Sequence, residues 1–192
     1  MKKITTALIF LTVLLILFPN ANVQAQKKQN VYHNKEHAFS IILPDGWSIR
    51  SGQTPHTVVV AEDKKGASIV IQVWKLPKDV SYDQYSDQYL QQTAKESFND
   101  LIKNSYYNAE LDDYSVTYLS NRKATRIVCK YSIRNPDSSF RIKSIIFSVL
   151  GNMRMVQIIC SAPVSHFKTI EKIFQRSYKS FLFEDPSWYK YK

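Results

Sequence analysis

The sequence predicts an α+β fold in which helices flank an antiparallel β-sheet, an α/β/α sandwich. Two segments, 82–104 and 164–178, carry apolar residues at helical spacing. The segments between them are rich in β-forming residues and are separated by short turns, at 114–119, 123–134, 140–150 and 153–161. Because short turns join strands that run in opposite directions, we expect these four strands to form an antiparallel meander.

Residues 1–25 are predicted to be a cleavable secretory signal peptide. Lys2 and Lys3 precede an apolar run over 4–18, and Val23-Gln24-Ala25 supplies a cleavage site before Gln26. The alternative is a retained N-terminal anchor. We expect an exported protein, periplasmic or secreted, of 167 residues. Its 24 basic and 16 acidic residues give a net charge of about +8, which favours anionic partners.

The first half of the exported chain predicts a flexible lead-in followed by strands. Residues 26–36 are polar and aperiodic, so we expect a linker there and a domain over 37–183. Phe39, Ile41 and Leu43 alternate up to a Pro44-Asp45-Gly46 turn. Segments 58–61 and 67–76 then predict a hairpin around Lys64-Lys65-Gly66.

Two helices are predicted. One runs over 82–104 with Ser81 as its N-cap, and its apolar stripe is interpreted as core rather than as a recognition face; the stripe consists of Tyr82, Tyr85, Tyr89, Ala94, Phe98, Leu101 and Ile102. The other runs over 164–178 and begins at Ser161 or Ser165. It should pack on the sheet, and residues 180–183 should leave it as a short extended segment.

The meander also predicts the state of the two cysteines. A Gly151-Asn152 turn would place Leu150 opposite Met153, Ile145 opposite Ile158 and Lys143 opposite Cys160; pairing Arg134 with Phe140 would place Cys129 opposite Ile145. Cys129 and Cys160 then lie on strands that flank a shared neighbour, beyond the Cα separation of about 7 Å that a disulfide tolerates. We therefore predict two buried free thiols, although an oxidising compartment would permit a bridge.

The order of elements and a modest local signature resemble the PsbP-like fold. This fold is shared by the extrinsic PsbP proteins of photosystem II, the Ran-binding Mog proteins and bacterial exported proteins of the DcrB type. The signature consists of Phe39-Ser40-Ile41, Pro44-Asp45-Gly46-Trp47, Ile170, Ile173 and Ser180-Phe181. The resemblance implies an α/β/α sandwich that binds other proteins or supports assemblies without enzymatic activity. Such a resemblance is better evidence for the fold than for the function.

No catalytic or metal-binding constellation stands out in the sequence. His33, Glu36 and His37 have metal-like spacing, but they lie in the predicted linker. The cysteines lie in mid-strand, where thiols are usually inert, and four glycines supply no phosphate-binding loop. We predict no cofactor and no enzymatic activity.

Basic and aromatic residues are the candidate partner-binding residues. Arg126, Lys130 and Arg134 share one side of a strand, and Lys168, Lys172 and Arg176 fall on one exposed helical face. Residues 184–192 form a tail that contributes Trp188, Tyr189 and Tyr191, which suit protein docking or peripheral membrane contact. For each set the alternative is an ordinary solvated or packed surface.

The function predicted from these observations is an exported, non-catalytic domain that binds an unknown protein or an anionic envelope component. Export argues against a nucleic-acid partner. Two alternatives stay open at this stage, an extracytoplasmic enzyme of hydrolase type and an electrostatic binder of anionic lipid or polymer. The oligomeric state is also open.

Overall fold

The computed structural model describes residues 30–135 and 138–184. These residues form ten strands, β1 (Val31–Asn34), β2 (Phe39–Ile42), β3 (Ser48–Arg50), β4 (Thr57–Glu62), β5 (Ser68–Lys75), β6 (Tyr107–Leu119), β7 (Arg122–Asn135), β8 (Ser138–Gly151), β9 (Arg154–Pro163) and β10 (Leu182–Phe183). Their helical segments are a 3-10 turn (Tyr82–Gln84), α1 (Asp87–Ser97), a π-helical turn (Phe98–Lys103) and α2 (Val164–Lys179). In this part of the chain no helix is both long and apolar enough to cross a bilayer.

Seven strands form one antiparallel sheet in the order β3-β4-β5-β9-β8-β7-β6. The predicted meander β6 to β9 and the predicted hairpin β4–β5 are both confirmed. The hairpin joins the meander through β5 and β9, which pair from Ser68↔Ser161 to Lys75↔Arg154. A second, three-stranded sheet has the order β1-β2-β10.

A helix covers each face of the large sheet. On one face, Phe167, Ile170 and Phe174 of α2 join the main hydrophobic core, and α2 also contacts β2 of the small sheet. On the other face, Ala94 of α1 and Phe98 of the π-helical turn pack in a separate cluster against β7 and β8. The arrangement is the predicted α/β/α sandwich.

The helix predicted over 82–104 is broken into three pieces. Ser81 accepts a hydrogen bond from the Asp83 N–H and caps only the 3-10 turn, whereas Ser86 accepts one from the Tyr89 N–H and starts α1. The backbone is extended at Tyr85 and Ser86, between the 3-10 turn and α1. The apolar residues before and after this break therefore do not lie on one helical face. Tyr85 and Tyr89 are 37% and 55% exposed and stack at 5.0 Å between ring centroids, so their assignment to the core was wrong.

The predicted strand registers were also wrong. The β8–β9 turn consists of Asn152 and Met153, both with positive φ, rather than Gly151-Asn152. Leu150 therefore faces Met155, Ile145 faces Cys160 and Lys143 faces Ala162. Between β7 and β8, Arg134 faces Ser139, one residue from the predicted partner.

Both cysteines are buried and free, as predicted. Cys129 faces Ser144 and Cys160 faces Ile145, which are consecutive residues of β8. Because consecutive residues of a strand point to opposite faces of the sheet, the two thiols lie in different cores. As predicted, the two cysteines also lie on strands that flank a shared neighbour, β8, so both the strand spacing and the opposite faces keep the thiols apart.

Two predicted boundaries differ from the observed ones. Strand β1 lies inside the segment 26–36 that was expected to be a flexible linker, and it pairs with β2 from Val31↔Ile42 to Asn34↔Phe39. Helix α2 follows Pro163 with no side-chain cap, so neither Ser161 nor Ser165 caps it. Residues 1–29, including the predicted signal peptide, lie outside the described part of the chain.

Candidate functional site

Helix α2 presents a basic stripe on the face that points away from the core. Phe167, Ile170 and Phe174 are buried at helical spacing and fix the orientation of the helix on the sheet. The opposite positions are exposed and carry Lys168, Lys172, Arg176 and Lys179. Across residues 30–135 and 138–184, none of these four cations forms an ion pair. Within this region the stripe therefore carries four positive charges that no ion pair neutralises.

The basic residues of β7 lie on the same side of the sheet as α2, but they are already engaged. Lys130 Nζ lies 2.9 Å from Asp112 Oδ1, and Arg126 forms an ion pair with Asp113. The guanidinium carbon of Arg134 lies 4.2 Å from the centre of the Tyr107 ring. These three predicted site residues consequently offer less free charge than the stripe on α2.

A bulge in β6 explains how two neighbouring acids can serve this network. The register shifts between Leu111 and Asp113, so Asp112 lies outside the regular alternation. Its carboxylate contacts both Lys130 and Lys143, the latter at 3.4 Å. Burial would raise the pKa of Asp112, but the hydrogen bonds and positive charges of the two lysines outweigh it and lower the pKa.

A groove runs beside the basic stripe, between α2 and the turn that follows β2. Its volume is about 300 Å³, and it is lined by Ile42, Leu43, Pro44, Asp45, Trp47, Lys172, Ile173, Arg176 and Ser177. The Trp47 ring meets the buried Phe174 ring edge-on at 6.2 Å. Ile173 is 40% exposed and forms part of the groove, whose largely apolar lining also includes the charged residues Lys172, Arg176 and Asp45.

A second pocket, of about 610 Å³, lies on the side of the small sheet and contains His37, His56 and Trp74. Burial lowers the pKa of His37, and its buried Nδ1 has no hydrogen-bond partner within the described residues. His56 stacks on Trp74 at 5.2 Å. The pocket therefore combines imidazole and aromatic surfaces with two charged residues, Glu36 and Lys75.

The remaining histidines bind carboxylates. His33 Nδ1 lies 2.8 Å from Glu184 Oε1, and His166 Nε2 lies 3.1 Å from Asp63 Oδ2. In the described part of the chain, no histidine forms a hydrogen bond to a serine, threonine or cysteine, and no group of His, Cys, Asp or Glu side chains is placed to hold a metal ion. Burial raises the pKa of Cys129 to about 12 and that of Cys160 further, so both thiols stay protonated.

Sequence reasoning found the α2 stripe but missed the groove. The periodicity of 164–178 separates the exposed cations from the core. In the sequence, Trp47 belongs to the Pro44-Asp45-Gly46-Trp47 signature of the fold, and nothing local shows that this turn meets Ile173. The tail residues Trp188, Tyr189 and Tyr191 lie outside the described residues and stay a prediction.

Comparison with solved structures identifies the fold. The cyanobacterial PsbP protein (CyanoP) of Synechocystis sp. PCC 6803 matches with a TM-score of 0.59 and 12% identity, over 80% of this chain and 91% of that chain. The chain has the PsbP-like fold. Two further PsbP-like matches are LpqN, described as involved in cell envelope biogenesis of Mycobacterium tuberculosis (TM-score 0.56, 13% identity, 82% and 91% coverage), and the Saccharomyces cerevisiae Ran-binding protein Mog1p (TM-score 0.54, 11% identity, 83% and 97% coverage).

These PsbP-like structures share the fold with this chain, and at such low identity they say nothing about its partner. Comparison of the sequence with protein-family models and with curated proteins gives no match. The functional argument therefore depends on the geometry of the site.

Proposed function

We propose that this protein is an exported, non-catalytic binding domain that holds an anionic protein or envelope component against the exposed face of α2. The observation that carries the proposal is the stripe of Lys168, Lys172, Arg176 and Lys179, which is exposed and forms no ion pair within the described residues. Four cations along one helix repel one another, and an anionic partner relieves that repulsion.

Export is supported by the pattern of residues 1–25, where two lysines precede a short apolar run and a small-residue cleavage site. The PsbP-like structure of LpqN, a protein involved in cell envelope biogenesis, is compatible with such a location. An exported chain meets anionic lipids, polymers and acidic protein surfaces.

A binding role without catalysis is supported by the state of the reactive groups. The protonated, buried thiols of Cys129 and Cys160 are poor nucleophiles. His33 and His166 bind carboxylates and have no adjacent hydroxyl to activate in the described part of the fold.

The test is capture of envelope components by the chain from residue 26 onward, which contains every described element. The variant K168E/K172E/R176E reverses three charges on α2. A matched control, K78E/K95E/K103E, reverses three exposed lysines elsewhere. We expect one component to bind the native chain and the control alike, and to bind the α2 variant at least about tenfold more weakly.

Equal capture of that component by all three proteins would show that α2 is not the binding face. Turnover of a substrate in the same extract, abolished by a substitution at His37 in the second pocket, would instead favour the enzyme alternative. The first result would contradict α2 as the binding face, and the second would contradict a function without catalysis.

A further inference from the structure

We propose that the groove beside α2 receives an apolar side chain of an acidic peptide segment in the partner. This inference rests on the proposed function of α2 and names the partner's chemistry. Its basis is the position of a largely apolar groove directly next to cations that form no ion pair within the described residues.

The groove has the size and lining of a side-chain pocket. Its volume of about 300 Å³ is at the lower end of the range for ligand sites. Ile42, Leu43 and Trp47 supply apolar surface from the β2 side, and Ile173 supplies it from α2. Trp47 is held in place by its edge-on contact with the buried Phe174 ring, so the groove exists before a partner arrives.

The charges at the margin determine which peptide fits. Lys172 and Arg176 both line the groove and lie one helical turn apart, with Ile173 between them in the sequence. Carboxylates on either side of an apolar residue in a bound peptide would therefore meet one cation each. A basic peptide would be repelled by the same two side chains.

The small exposed apolar area favours a peptide over a lipid surface. Binding to a membrane needs a broad exposed apolar area, whereas Ile173 is the large apolar residue that α2 exposes at this point. A single apolar side chain inserted from a peptide would cover this small surface more completely than a membrane would.

The experiment compares two synthetic peptides, Asp-Glu-Glu-Leu-Glu-Glu-Asp and the same peptide with Ser in place of Leu. Affinities are measured by calorimetry, and the environment of Trp47 is followed by fluorine NMR of protein labelled with fluorotryptophan. We expect the Leu peptide to bind about tenfold tighter than the Ser peptide, because burying one leucine side chain contributes that much. We also expect the Trp47 resonance to shift while that of Trp74 does not.

A matched pair of variants tests the groove itself. Ile173→Ser removes its exposed wall, whereas Ile133→Ser changes an isoleucine on β7 with nearly the same exposure, 39% against 40%. Ile173→Ser should abolish the preference for the Leu peptide and leave the weaker affinity for the Ser peptide unchanged. Ile133→Ser should leave both affinities as they are in the native chain.

The outcomes separate this inference from the proposed function. Equal affinity for both peptides with no shift of Trp47 overturns the groove inference, while loss of that affinity in K168E/K172E/R176E keeps α2 as the binding face. A Trp47 shift with anionic phospholipid vesicles but with neither peptide overturns the peptide as occupant. Binding of neither peptide, together with equal capture of envelope components by all charge variants, overturns both proposals.

Discussion

Replacing Phe174 by alanine tests the docking of α2 and the rigidity of the groove. Phe174 is fully buried, and its ring contacts those of Phe167 at 5.7 Å and Trp47 at 6.2 Å between centroids. Removal of a buried phenylalanine ring costs about 3–5 kcal/mol, which is a large share of the roughly 5–15 kcal/mol that stabilise a domain. We expect Phe174→Ala to lower the free energy of unfolding by about 4 kcal/mol.

Urea denaturation followed by circular dichroism measures this loss, and its midpoint should fall by about 2 M. The control is Ile173→Ala on the adjacent, 40% exposed position, which should cost below about 1 kcal/mol. If Phe174→Ala does not fold, Phe174→Leu should fold with a loss of about 1.5 kcal/mol. Equal losses at positions 173 and 174 would refute the observed orientation of α2 on the sheet.

Two further predictions concern pH and thiol reactivity. Burial would raise the pKa of Asp63, but hydrogen bonds from the Ala67 N–H, His166 and the Lys65 N–H outweigh it and lower the pKa. The folded state therefore gains stability above the ordinary pKa of about 4 and loses it as pH falls through the lowered pKa. The stability difference between the native chain and Asp63→Asn should thus shrink in acid, and a difference that is constant with pH would contradict this. The second prediction is that iodoacetamide modifies neither Cys129 nor Cys160 in the folded chain at neutral pH, but modifies both in urea. Mass spectrometry measures the labelling. Rapid labelling of either thiol in the folded chain would contradict their burial.

The location of the candidate site could be predicted only in part. The spacing of Lys168, Lys172 and Arg176 is local, so the sequence alone places them on one helical face. The sequence does not show whether a cation already has an ion-pair partner. Arg126 and Lys130 look equally available in the sequence, yet a bulge at Asp112 brings two carboxylates of β6 to them.

The predictions were wrong where the local sequence favours two alternative structures about equally. Tyr82, Tyr85 and Tyr89 fit a helical stripe, but Ser81 and Ser86 can both cap, and the structure uses both. The β8–β9 turn moved by one residue because Asn152 and Met153 both take positive φ, and this shift changed every pair along the two strands.

The sequence by itself determined the elements that depend on short-range patterns, namely the meander, the β4–β5 hairpin, the amphipathic α2 and the buried free thiols. Only the tertiary structure decided the pairing of β5 with β9, whose partners Ser68 and Ser161 are far apart along the chain. It alone brought Trp47 against α2 to form the groove. Periodicity and turn chemistry act between neighbours in sequence, whereas these contacts form because remote apolar surfaces must share one core.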